Sequence, residues 1–160
     1  MNIYVVETTD DLLWLKLYSV GQIKTVFYDI VRSFERDDFP DTVRTLHIRY
    51  CMLEQGLENL PDTIQEVGFY HNMDNIEEIR VPRSVKILSF NVCVSQRLLD
   101  NIPAWITGIY IYYKSLAHHD YSNLPVGLEH IYFEFAETTP YKFELLPAAA
   151  MVVINKSRVW

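Results

Sequence analysis

Apolar positions recur along this chain at fixed distances from a repeating proline. Pro40, Pro61, Pro82, Pro103, Pro125 and Pro147 follow one another at intervals of 21, 21, 21, 22 and 22 residues. Each is preceded by an apolar residue, from Phe39 and Leu60 to Leu124 and Leu146. Three residues after each comes Val43, Ile64, Val85, Ile106, Leu128 or Ala150. Six residues after comes Leu46, Val67, Leu88, Ile109, Ile131 or Val153, and eight after comes Ile48, Phe69, Phe90, Ile111 or Phe133, with Asn155 breaking the column. The six-and-eight alternation is that of a strand with one buried face. Proline has no N–H to give a ladder, so each one marks where the chain turns into its strand. A period of this length, carrying one strand per copy, predicts a solenoid.

The copy from Val43 to Leu53 reads L-x-x-L-x-L-x-x-C-x-L, the leucine-rich-repeat pattern. The expected fold is therefore mainly β: a leucine-rich-repeat solenoid with one short parallel strand per coil of 20–22 residues. About a dozen residues remain for each return leg, so the convex side should be irregular or 3₁₀, with single helical turns near Gln96–Leu99 and Asn75–Ile79. A parallel β-helix shares the spacing, but needs two or three strands per turn where each copy here has one alternating segment. The expected organisation is one domain over 1–160: an N-terminal cap over 1–19, repeats over 20–146 and a degenerate last coil over 147–160. The cap reads as a hairpin or as a strand plus helix closing the first coil. About six coils follow from the count.

Three fragments carry a closer likeness. Asn59-Leu60-Pro61, Asn101-Ile102-Pro103 and Asn123-Leu124-Pro125 resemble the N-I-P of FNIP repeats, and Val81 to Phe90 is similar to their I-P-x-S-V-x-x-L-x-F core. FNIP repeats are a leucine-rich-repeat variant abundant in social amoebae and in giant viruses that infect them. The L-P-x-x-L-x-x-L repeat of bacterial secreted effectors is a second similar pattern. Either resemblance implies a protein-interaction module, of viral or amoebal origin in the first case.

Odd strand positions should point outward and form three columns on the concave face. The first is Thr25, Thr45, Glu66, Ile87, Gly108, His130 and Val152. The middle one is Phe27, His47, Gly68, Ser89, Tyr110, Tyr132 and Ile154. The outer one is Asp29, Arg49, Tyr70, Asn91, Tyr112, Glu134 and Lys156. The chain is rich in tyrosine, with 11 Tyr, 8 Phe and 3 Trp, and these columns collect several. Tyrosine and arginine are enriched where binding energy concentrates. The candidate partner-binding residues are Phe27, His47, Arg49, Tyr70, Tyr110, Tyr112, His130 and Tyr132, with Gly68 and Gly108 leaving gaps for a partner side chain. The same rings also suit half-exposed strands and stack along a ladder. Asp29 with Arg49, and Glu134 with Lys156, read as cross-strand ion pairs.

Charge and remaining motifs narrow the function. A net charge of −7 argues against nucleic acid and against anionic membranes. No run of apolar residues is long enough to span a bilayer, and the N-terminus has no basic signal-peptide region. Cys51 and Cys93 share a repeat position two coils apart. Rungs about 4.8 Å apart put their Cα atoms about 9–10 Å apart, beyond the roughly 7 Å limit of a disulfide. Two reduced thiols fit a cytoplasmic setting, that of the host cell if the protein is viral. His118-His119-Asp120 lacks the ligands of a metal site. Asp37-Asp38 and Glu77-Glu78 fall on return loops with no cleft to desolvate them. No nucleophile elbow or phosphate loop is present. The reading is a non-enzymatic module without metal or cofactor that binds another protein on its concave face, its oligomeric state open. A structural protein stacking through its terminal strands, and a carbohydrate binder using the same rings, are the alternatives.

Overall fold

The computed structural model describes residues 3–18, 23–29, 34–49, 57–70, 80–92, 94–112, 120–136 and 151–157. Eight strands form one sheet in sequence order: β1 (Ile3–Val6), β2 (Thr25–Tyr28), β3 (Thr45–Ile48), β4 (Glu66–Phe69), β5 (Ile87–Phe90), β6 (Gly108–Ile111), β7 (His130–Ala136) and β8 (Met151–Ser157). Every neighbouring pair is parallel. One parallel rung per repeat, in sequence order, is the leucine-rich-repeat-like solenoid that the proline spacing predicts.

The turns into β3 to β7 are built alike. The backbone N–H three residues after Pro40, Pro61, Pro82, Pro103 and Pro125 donates to that proline's carbonyl, from Val43 to Pro40 at 3.0 Å through Leu128 to Pro125 at 3.1 Å. That hydrogen bond closes a β-turn and aims the next apolar side chain inward. Val43, Ile64, Val85, Ile106 and Leu128 are buried in consequence, as are the two strand columns behind them. Phe69 and Phe90 stack along this core with centroids 5.6 Å apart. The return legs carry a 3₁₀ turn at Arg36–Asp38 and a short helix α2 at Gln96–Asp100. Ser95 caps α2, accepting from the Leu98 N–H at 3.1 Å.

The N-terminal segment is a strand plus a helix, α1 (Thr9–Tyr18), and not a hairpin. Its strand is a full rung, with Ile3 opposite Thr25 and Val6 opposite Tyr28. The rungs accordingly exceed the six coils expected. Leu12 and Leu15 of α1 enter the core, and Lys16 reaches Asp38 at 3.6 Å. Asp38 is only 3% exposed, so the expectation of two solvated carboxylates fails there. The Glu35 N–H and Lys16 replace its water.

The last coil differs by one residue. β8 pairs Ile131 with Val152 and Phe133 with Ile154, so the register partners of His130, Tyr132 and Glu134 are Met151, Val153 and Asn155 in place of Val152, Ile154 and Lys156. β7 to β8 spans 21 residues whereas Pro125 to Pro147 spans 22, and a slip of one residue inverts every side chain in a strand. Glu134 consequently lies opposite Asn155, with Lys156 opposite Phe135, so the Glu134–Lys156 pairing is not in register. Cys51, Asn75–Ile79, Cys93, His118, His119 and Pro147 lie outside the described residues.

Candidate functional site

The eight sequence-nominated residues all stand on the sheet face turned away from the core, the face expected to be concave, and the strands divide them into two groups. Phe27 on β2 and His47 on β3 are register partners, with ring centroids 4.5 Å apart. Tyr70, just beyond β4, meets Phe27 edge-on at 5.8 Å and His47 at 5.2 Å. Arg49 lies 5.0 Å over the Phe27 ring and 3.5 Å from the Asp29 carboxylate. The second group is Tyr110, Tyr112 and Tyr132 on adjacent rungs β6 and β7. Tyr132 is 5.8 Å from Tyr110 and 5.7 Å from Tyr112. His130, at the head of β7, is exposed and joins neither ring cluster among the described contacts.

Backbone bonds beyond the four-residue strands hold the outer column. The N–H groups of Arg49, Tyr70, Asn91 and Tyr112 donate to the carbonyls of Tyr28, Ile48, Phe69 and Phe90 at 2.7–3.0 Å. This places Tyr70 and Tyr112 on the ordered ladder.

The two glycines do not open gaps. Gly68 is buried, and a Cβ there would lie 2.4 Å from His47 Nδ1 and 2.6 Å from Ser89 Oγ. His47 and Ser89 close over the space that the missing side chain leaves. Gly108 is likewise buried beneath Ile87, whose Cγ1 would be 3.2 Å from an added Cβ.

The electrostatics follow from partial burial. Burial, reinforced by the Arg49 charge, lowers the His47 imidazole to about 4. Burial raises the Tyr70 phenol, Glu66 raises it further, and Arg49 opposes both. The Tyr112 phenol is pushed up to about 12, by burial first and then by Tyr70, Tyr132, Glu66 and Tyr110. Burial also raises the Glu66 carboxyl against a weak opposing bond from the Thr45 hydroxyl at 3.5 Å. Glu66 was not nominated from the sequence. The readable signal was a carboxylate in an outward column whose rung neighbours, Thr45 and Ile87, carry no charge.

A cavity of about 610 Å³ lies elsewhere, on the proline-turn edge between Arg36, Pro40, Arg44, Pro61 and Asp62. Arg36 and Asp62 already pair across it at 2.8 Å. Among the described residues no three His, Cys, Asp or Glu side chains are grouped to hold a metal ion, and no helix is long and apolar enough to cross a membrane.

No family model matches the chain, and no curated protein matches it. Among solved structures it is similar to CroV588, described as a novel circular LRR protein, with a TM-score of 0.49 and 14% identity. The match covers 99% of this chain and 23% of that one, so the chain spans under a quarter of that protein's length.

Proposed function

We propose that this chain is a non-enzymatic module that binds another protein on its concave face. One observation carries the reading: Tyr110, Tyr112 and Tyr132 stand together, half-buried, on two adjacent rungs. A ring in that state already has most of its rotamer freedom fixed, and it still offers apolar area with a hydroxyl at its tip. Such positions supply most of the energy of protein interfaces. The likeness of the repeats to the FNIP type supports the same reading, as does a one-domain arrangement over 1–160. Cys51 and Cys93 occupy the same position of the sequence repeat two copies apart, and two thiols in that arrangement suit a cytoplasmic setting.

The test is capture of partners by the wild-type chain and by a Tyr110→Ala, Tyr132→Ala variant, read by mass spectrometry. Thermal unfolding of both proteins controls for the fold. Partners lost by the variant with unfolding unchanged support the reading. Partners kept by a folded variant place the binding surface elsewhere.

A further inference from the structure

The concave face holds two clusters of rings, and only one of them has its cation. Around Phe27 the set is complete: rings at Phe27, His47 and Tyr70, a carboxylate at Asp29, and the Arg49 guanidinium between ring and carboxylate. Asp29 is 16% exposed; its Oδ2 faces Arg49, and its Oδ1 has no hydrogen bond among the described residues. The arrangement shows how this surface accommodates a positive charge: flat against an aromatic face, with an acid behind it.

Around Tyr112 the same parts recur without the positive member. The rings are Tyr110, Tyr112 and Tyr132. Glu66 lies near enough to raise the phenols of both Tyr70 and Tyr112, and Glu134 follows Tyr112 on the next rung of the outer column. Among the described residues of the three outward columns, Arg49 is the one lysine or arginine, and it is committed to Asp29. Glu66 and Glu134 have no cation within ion-pair distance among the described residues, and the weak 3.5 Å bond from Thr45 is all that Glu66 receives. A half-buried carboxylate without a counter-charge costs stability, and a cation beside it removes that cost.

We propose that the concave face takes a basic segment of a partner protein, with one lysine or arginine side chain laid over Tyr112 and Tyr132 and its charge met by Glu134, and a second basic side chain of the segment met by Glu66. This rests on the concave-face reading above and adds the partner's chemistry to it. Acidic segments are rejected for the same reason, since Asp29, Glu66 and Glu134 outnumber Arg49 on this surface. Shape alone would not separate the two, because rings stack on any flat group. The charge supplies the discrimination.

A phage-displayed library of random dodecapeptides, panned on the whole chain, provides the probe. Selected peptides are synthesised and their Kd measured by calorimetry. The expected result is enrichment of lysine and arginine with depletion of aspartate and glutamate. Replacing the key lysine of a selected peptide by norleucine should weaken binding about tenfold. The Glu66→Gln, Glu134→Gln variant should weaken the lysine peptide by a similar factor and the norleucine peptide by less than twofold. Selected peptides without a basic residue that still need Tyr110 and Tyr132 would overturn the charge assignment and leave the concave reading standing. Basic peptides indifferent to the glutamine variant overturn the proposal, as does a failure to select any peptide. Peptides indifferent to the tyrosines as well would remove both readings.

Discussion

Replacing Gly68 by alanine tests whether the concave face is closed by its own side chains. The added methyl would sit 2.4 Å from His47 Nδ1, 3.2 Å from His47 Cε1 and 2.6 Å from Ser89 Oγ. Carbon contacts settle near 3.5–4.0 Å, so the imidazole must retreat by about 1 Å. Ser89 can turn its hydroxyl aside at small cost. His47 cannot, because it stacks on Phe27 at 4.5 Å and meets Tyr70 edge-on at 5.2 Å. Losing two ring contacts costs about 1–3 kcal/mol. Alanine in a strand recovers about 0.5–1 kcal/mol over glycine. The net expectation is a loss of about 1 kcal/mol, or a Tm lower by about 2–4 °C for a chain of this size.

Two further glycines calibrate that figure. At Gly108 the nearest atom is Ile87 Cγ1 at 3.2 Å, which a half-buried side chain can yield, so Gly108→Ala should be close to neutral. At Gly127 an added Cβ meets only the Ala104 carbonyl at 3.8 Å, so Gly127→Ala should stabilise by about 0.4–1 kcal/mol. Urea unfolding of the three variants gives the order. In a His47→Ala background the Gly68→Ala loss should disappear, since the obstructing ring is gone. A Gly68→Ala protein as stable as Gly127→Ala, or a loss that persists without His47, would refute the account of the closed notch.

Two other outcomes follow from the same contacts. His47 has a folded value of about 4, below the ordinary imidazole value of 6.5. The unfolded chain therefore binds a proton that the folded chain refuses as pH falls through that window. Stability should decline between about pH 6.5 and 4 by about 1–2 kcal/mol, after allowing for the ring's partial exposure. His47→Phe should flatten that part of the curve, measured by urea midpoints across pH, and an unchanged slope would contradict the burial. Ser95→Ala removes the cap of α2 and should cost about 1 kcal/mol, while Ser95→Asp retains most of it; equal urea midpoints for both would show that the cap contributes nothing.

The rungs were legible because two rules act on every coil at once. Proline forbids a ladder position, and the alternation of Leu46 with His47 and Ile48 fixes which side chains face inward. Where those rules agreed, the register from β2 to β7 followed. Beyond Pro125 they separate by one residue, and the strand pairing decides against the proline count: Val152 takes the place beside Ile131. β1 was hidden for a different reason. It has no proline before it, and its continuation is a helix apolar on both faces, so neither the repeat nor an amphipathic pattern marked it as a rung. Asp38 looked solvated because its partner, Lys16, comes from a cap helix that the sequence left as one of two alternatives and did not place against the first return leg.

The face itself shows where column arithmetic stops. A column says that Gly68 and Tyr70 point to the same side; it does not say whether a neighbour leans across. His47 does lean, because glycine admits it and Phe27 and Tyr70 hold it there. The empty place predicted at Gly68 is thus part of a packed surface, and a partner of the kind proposed would meet the tops of the rings and not a gap between them. That shifts the weight of specificity from shape to charge. A surface of filled notches can select a partner chiefly by what its rings and acids attract. Among the described residues of this face, the carboxylates without a cation are Glu66 and Glu134.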